Sequence, residues 1–399
     1  MPDIAVSVQA APVDLRSWLS LARRLESSGF HGLLMGDHPG SGASPWPALG
    51  SAAAVTKTLQ LGTYVAQAGV REPVHVAADA ATLDILAPGR VLLGLGAGHT
   101  PREWTDIGRE RPGPDQRAER LAEFAAAVAA LLRGQAVSRE GGYVALRESR
   151  LEDLPVGDGV KLAVGGGHPL ILRAAARHAD VVALSGLGRT LPDGHHHEVR
   201  WSRADLDRQL RAVREEARLA GSAPVIEALV QVVEVTGNRS AAIDDLSTKI
   251  AGATTEDLAR TPFLLIGSHE EMAAQMLSQA EELGITRYVI REAAVPALER
   301  VLDLIASSPG SDVRSSSDAP LSVSPKVRLA GLSWAGEPAW RRITERQGAC
   351  DGGRADTERR DARVREVRIR RRPRGADREQ GGREPPLALL PLRQQAGPL

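Results

Sequence analysis

From Ile4 to about Ser307, short apolar runs rich in β-branched residues alternate with longer stretches whose apolar positions recur every three or four residues. The first pattern marks buried strands and the second amphipathic helices, so their alternation predicts repeated βα units around a parallel sheet. The strand candidates are "IAVSVQA" from Ile4, "HGLLMG" from His31, "LQLGTYV" from Leu59, "RVLLGLG" from Arg90, "KLAVGG" from Lys161, "DVVALSG" from Asp180, "VIEALVQVVEV" from Val225 and "RYVIRE" from Arg287. Their nearly continuous apolar character suits strands covered on both faces. Between them, stripes such as Leu15, Trp18, Leu19, Ala22 and Leu25 turn one apolar face toward a sheet. In "GSHEEM" Ser268 is placed to cap a helix while Glu271 reaches back to the cap's own amide. Eight repeats in roughly 300 residues favour a closed (β/α)8 TIM barrel, an α/β fold, over an open sheet with two edges to protect.

After Ser307 the periodicity ends in segments such as "RRDARVREVRIRRRPRGADREQGGREPP". The expected organisation is therefore one barrel domain over residues 1–308 and an Arg-rich, disordered tail over 309–399. The chain as a whole is neutral, but the tail holds 19 Lys and Arg against 12 Asp and Glu, leaving 31 against 38 before it. Clustered arginines attract phosphates, yet interspersed acids and the lack of interleaved aromatics argue against a nucleic-acid or membrane tether.

Composition narrows the chemistry. The hydrophobic share is 42%, and no apolar run approaches the roughly 18 residues needed to span a bilayer. The start "MPDIAVSVQAAPVDL" carries Asp3 and no basic leader, so a soluble, cytoplasmic protein is expected. The single cysteine, Cys350, can form neither an internal disulfide nor a thiolate metal site alone. Redox chemistry, if the chain performs any, must therefore come from a bound cofactor.

In parallel barrels reactive groups lie where strands end, so the residues after each strand carry the candidate chemistry. The second strand runs into Asp37 and His38 in "LLMGDHPG". Asp-His-Pro-Gly suits a tight turn, and it also offers an acid beside an imidazole able to move protons near neutral pH. The fourth strand ends in "GLGAGHTPREW", where Gly94, Gly96 and Gly98 allow close backbone approach to a flat ring or a phosphate. A dinucleotide-binding fingerprint does not fit, because the spacing is G-x-G-x-G and Pro101 is not expected to open a helix at once. After the fifth strand Gly165, Gly166 and Gly167 lead into a helix beginning near Pro169, which is either an anion site at a helix N-terminus or a flexible loop. His195, His196 and His197 lack a neighbouring ligand cluster and read as an exposed insertion, so no metal is expected.

Taken in order, "LLMGDH", "LQLGTYV", "AATLDILAPGRVLLGLGAG", "LLRGQAVSREGGYVAL" and "AVGGGHPLILRAAARHADVVAL" resemble the luciferase-like oxidoreductases, specifically those using the deazaflavin coenzyme F420. The resemblance covers about residues 4–307 and makes "LLRGQAVSREGGYVAL" an inserted hairpin. It implies a ring bound in the barrel mouth against a bulge at Thr63, Tyr64 and Val65, with a cis bond near Tyr64 and Val65. It places the cofactor phosphate on Gly165, Gly166, Gly167 and His168 and sets Asp37 and His38 beside the reactive edge of the ring, and Gly96 and Gly98, read above as points of close approach to a ring or a phosphate, count as further cofactor contacts. His38 is then the proton-donating or hydrogen-bonding group. Sugar-phosphate dehydrogenases of this family carry a glutamate directly after the fourth-strand glycines, where this chain has His99, which argues against glucose 6-phosphate and leaves His99 as a second candidate acid. The resemblance also implies a small organic substrate and a homodimer. Two alternatives remain: an FMN-dependent monooxygenase, and a flavin- or deazaflavin-binding protein without turnover.

Overall fold

The computed structural model describes residues 2–307 apart from 141, 155, 191–196 and 251–252. The expected disorder of 309–399 therefore lies outside the described residues. In chain order the strands are β1 (Ala5–Gln9), β2 (Gly32–Met35), β3 (Gln60–Gln67), β4 (Val91–Gly96), β5 (Val137–Arg139), β6 (Leu146–Ser149) and β7 (Val160–Gly165). They continue with β8 (Val181–Leu184), β9 (Leu187–Thr190), β10 (His197–Val199), β11 (Val225–Leu229), β12 (Val232–Val235), β13 (Leu264–Gly267) and β14 (Ile285–Arg291). Eight of them close a parallel barrel in the order β1-β14-β11-β8-β7-β4-β3-β2. Each barrel strand falls on one of the eight apolar runs read from the sequence. The run from Val225 is longer than its barrel strand: β12, its second half, leaves the barrel and pairs in parallel with β13. β5 and β6 form the inserted antiparallel hairpin.

The strand pleat sorts side chains to two sides. One set, including Val6, Val8, Leu33, Leu61, Leu93 and Leu95, packs outward against the helices. In helix α1 (Leu15–Ser27), Trp18, Ala22 and Leu25 complete that core, while Leu15 at its start is exposed. Each fully buried leucine contributes about 2 kcal/mol of transfer free energy, so this layer dominates the fold's stability. The other set points inward: Leu34, Tyr64, Leu92, Ala163, Val181, Ala183, Leu229 and Val289 fill the barrel. Further down the interior, Arg287 donates Nε to Glu227 (3.2 Å) and Nη2 to Gln60 (2.8 Å), and its Nη1 lies 3.0 Å from His31 Nε2. Burial and the Arg287 charge hold the His31 imidazole at a pKa of about 4, so it is a neutral acceptor there.

The remaining helices that position the mouth are α2 (Pro45–Ala53), α3 (Pro73–Leu86), α4 (Pro101–Asp106), α5 (Pro114–Leu132) and α6 (Pro169–His178). The helix at His269–Leu283 starts as read from its sequence: Glu271 takes the Ser268 amide (2.7 Å) and returns its own amide to Ser268 Oγ (3.2 Å).

Candidate active site

The C-terminal ends of the barrel strands converge on one mouth, and the end of β2 supplies its imidazole. Ser41 donates its amide to the His38 carbonyl at 3.1 Å, with Pro39 and Gly40 at the corner and Gly40 at φ 83°. Proline presets the first corner position and glycine takes the left-handed second, as in a type II turn. The turn and the functional assignment are therefore not rivals: the turn is what fixes His38 at the strand end.

His38 Nδ1 lies 2.7 Å from Glu103 Oε1. The Glu103 side chain is 1% exposed and that of His38 is 47% exposed, so a buried carboxylate orients an imidazole whose other edge reaches solvent. The second Glu103 oxygen is held by Gln67 Nε2 at the end of β3. The Glu103 hydrogen bond raises the His38 pKa above its ordinary value; burial and the charge of Arg291 oppose that, and the charges of Glu103 and Asp37 assist. With Glu103 accepting at Nδ1, Nε2 is the nitrogen that can take up or give a proton. The His99 ring stands edge-on to His38 with centroids 6.0 Å apart, and His197 is 5.1 Å from His99. Glu103→Gln keeps the shape but removes the charge, and is expected to move the His38 titration to lower pH. An imidazole titration by NMR that stays where it is would uncouple the two residues.

Glu103 was hidden in the sequence by a misleading local signal. Thr100-Pro101-Arg102-Glu103 has the spacing of a helix capping box, in which the acid would fold back onto the cap. Contrary to the expectation that Pro101 would not open a helix, α4 begins at Pro101, with Thr100 as a cap that makes no side-chain bond. Glu103 instead turns inward to His38 and Gln67.

Asp37 is 3% exposed and gripped by Arg71, whose Nε and Nη2 reach its two oxygens at 2.5 and 2.7 Å, while the Gln67 amide adds a bond of 3.2 Å. Asp37 thus ties the end of β2 to the end of β3. The Tyr64–Val65 peptide bond is cis, and the β3–β4 register shifts between Thr63 and Ala66, which is the bulge. Thr63 Oγ1 donates to the Gly94 carbonyl at 2.9 Å, and the Tyr64 carbonyl accepts from Gln9 Nε2. Burial and the Glu227 carboxylate push the Tyr64 phenol above its ordinary pKa. A β-carbon on Gly96 would lie 2.3 Å from Val65 Cγ2, and one on Gly94 2.3 Å from the Thr63 carbonyl oxygen. These glycines are required by the bulge next door, whatever else approaches them. Gly98, at φ 75°, abuts Gln67.

On the far side of the mouth, Gly165, Gly166 and Gly167 lead into α6. His168 caps it, with Nδ1 accepting the Leu170 amide at 3.2 Å and Nε2 3.1 Å from Asp115. The amides of Gly167 and His168 make no hydrogen bond among the described residues. His195 and His196 lie outside the described residues. His197 does not match the exposed insertion expected for it, because β10 pairs with β9 and carries it, half-buried, to His99.

A family model described as luciferase-like monooxygenase matches residues 1–287. An F420-dependent glucose-6-phosphate dehydrogenase of Beutenbergia cavernae is 36% identical over 200 residues, which is 47% of this chain and 57% of that protein. The chain thus spans little more than half the length of that curated relative. Among solved structures, an F420-dependent secondary alcohol dehydrogenase in complex with an F420-acetone adduct superimposes with a TM-score of 0.59 at 19% identity, covering 76% of this chain and 99% of the other. A riboflavin lyase with modified FMN and riboflavin gives 0.60 at 15% identity, covering 80% and 94%. At those identities the structures speak to the fold alone, whereas the family match extends over most of the chain. The chain belongs to the luciferase-like monooxygenase family.

Proposed function

We propose that this chain is an F420-dependent oxidoreductase that exchanges a hydride between the deazaflavin and a small organic substrate, with His38 handling the proton. The observation that carries it is the pairing of mouth-facing His38 with buried Glu103. The curated relative named for F420 supports the cofactor. The residues present fit such a group. The Thr63–Val65 bulge offers a backbone floor for a flat ring, and Gln9 Oε1 beside it is buried without a hydrogen-bond partner among the described residues. Gly165, Gly166, Gly167 and His168 would hold the phosphate, where the amides of Gly167 and His168 face no acceptor among the described residues and a β-carbon on Gly167 would meet nothing nearer than 3.5 Å. Asp37 would serve by holding the loops in register, since Arg71 occupies both its oxygens. When bound, the deazaflavin supplies a carbon that accepts or releases a hydride, chemistry no side chain provides. His38 Nε2 would take the proton from a substrate hydroxyl in the oxidative direction or return it in the reductive one. His99, in place of the glutamate of sugar-phosphate dehydrogenases, would line the substrate side and exclude glucose 6-phosphate.

FMN is the second reading, favoured by the monooxygenase description of the family. Titrating the full chain with F420 and with FMN, read by tryptophan fluorescence, distinguishes them. F420 is expected to bind at least about tenfold tighter, a difference of about 1.4 kcal/mol. Tighter binding of FMN would favour the monooxygenase, and binding of neither would overturn both.

A further inference from the structure

β14 points two arginines into the barrel. Alternate strand residues share a face, so Arg287, Val289 and Arg291 lie on one side, and Val289 belongs to the interior layer. Arg287 is satisfied by Glu227, Gln60 and His31. Arg291, at the mouth end, has no equivalent set: its guanidinium makes no hydrogen bond or ion pair with a described residue. Its register partner Gln9 gives its amide to Tyr64 instead. The nearby carboxylates are also committed, Asp37 to Arg71 and Glu103 to His38 and Gln67.

Arg291 nonetheless remains exposed to the mouth. Surrounding protein draws its pKa below the ordinary guanidinium value, and its charge acts on both His38 and Tyr64. A guanidinium that reaches solvent at the mouth and has no partner among the described residues is open to an anion arriving from solution. In barrel order β14 is separated from β7 by β11 and β8, so Arg291 stands apart from the glycine loop that precedes α6.

We propose that Arg291 is a specificity-determining residue that binds a carboxylate of the substrate, which makes the substrate class small hydroxy acids or the matching oxo acids rather than neutral alcohols. A guanidinium offers two parallel donors that match a carboxylate's two oxygens. A phosphate dianion would call for a second cation, and Arg71 is already spent on Asp37. The oxidation of such a substrate rests on the reading under Proposed function; recognition of its carboxylate does not.

The test is therefore a binding measurement on the full chain without cofactor. Lactate and 3-hydroxybutyrate are titrated beside their neutral amides, read by NMR shifts of the His38 imidazole. The carboxylates are expected to bind at least about tenfold tighter than the amides, the value of a charge-assisted pair. Arg291→Gln should abolish that preference and Arg291→Lys should retain part of it, with thermal melting confirming that both variants fold. Equal binding of acid and amide by the unaltered protein, or an unchanged preference in Arg291→Gln, would overturn the assignment. F420 titration of the same samples separates the two levels. Failure of the unaltered protein to bind F420 sinks the F420 reading while the carboxylate preference still decides this one. Loss of F420 affinity in Arg291→Gln with the preference intact would give Arg291 to the cofactor.

Discussion

His38→Ala is expected to lower turnover by roughly 10²–10⁴, the range for losing a positioned acid or base, while cofactor affinity stays nearly unchanged. The affinity should survive because the bulge on β3 and the loop before α6 are built from other strands. The fold should survive because His38 is nearly half exposed and its turn is made by backbone bonds. What the substitution does disturb is Glu103, a buried carboxylate left with Gln67 as its partner. His38→Gln is therefore the better-controlled companion: it can still donate to Glu103 but cannot carry a proton. Comparable losses in both variants, with F420 titrations superimposable on those of the unaltered protein, would identify proton transfer as the missing step. Normal kcat in either would hand the proton to His99 or to water, and a parallel loss of F420 affinity would make His38 a contact.

The second large effect is expected at the glycine loop. Gly167→Asp should weaken F420 binding at least about tenfold, since a carboxylate would take the place next to the helix dipole that the phosphate needs. Gly167 is the cleaner site, because an added β-carbon meets the Leu187 carbonyl oxygen at 3.5 Å and Gln209 Nε2 at 3.9 Å, both ordinary contacts. Gly166, by contrast, sits at φ 149° with Ile171 3.0 Å from such a carbon, so Asp there would confound strain with charge. Gly167→Ala separates size from charge and should bind almost normally. Unaltered affinity in Gly167→Asp, measured by the same fluorescence titration, would place the phosphate elsewhere.

All eight barrel strands were legible because burial on both faces leaves a run of apolar residues that little else produces. β13 was not, since "LLIG" is only four residues long and its partner β12 continues a longer apolar run without a break. Among the mouth residues, His38 announces itself by chemistry and by its place after a strand. Glu103 does not, because its spacing from Thr100 spells a helix cap and its true partners are 65 and 36 residues away. Arg291 is equally silent in sequence, one arginine among many. Only the pleat of β14 and the lack of a partner among the described residues distinguish it from Arg287, four positions earlier. Local pattern reports the backbone well, and it reports side-chain destinations only where the destination is also local.

The β4 glycines are a cast of the strand beside them. The absent β-carbons of Gly94 and Gly96 are the mould into which the Thr63 carbonyl and the Val65 side chain fit, so the shape of the mouth is stored in two strands as a positive and its negative. Neither half can drift alone: enlarging either glycine would eject the bulge, and straightening the bulge would leave a void along β4. A designer who wished to reshape this cavity would have to recut both strands together.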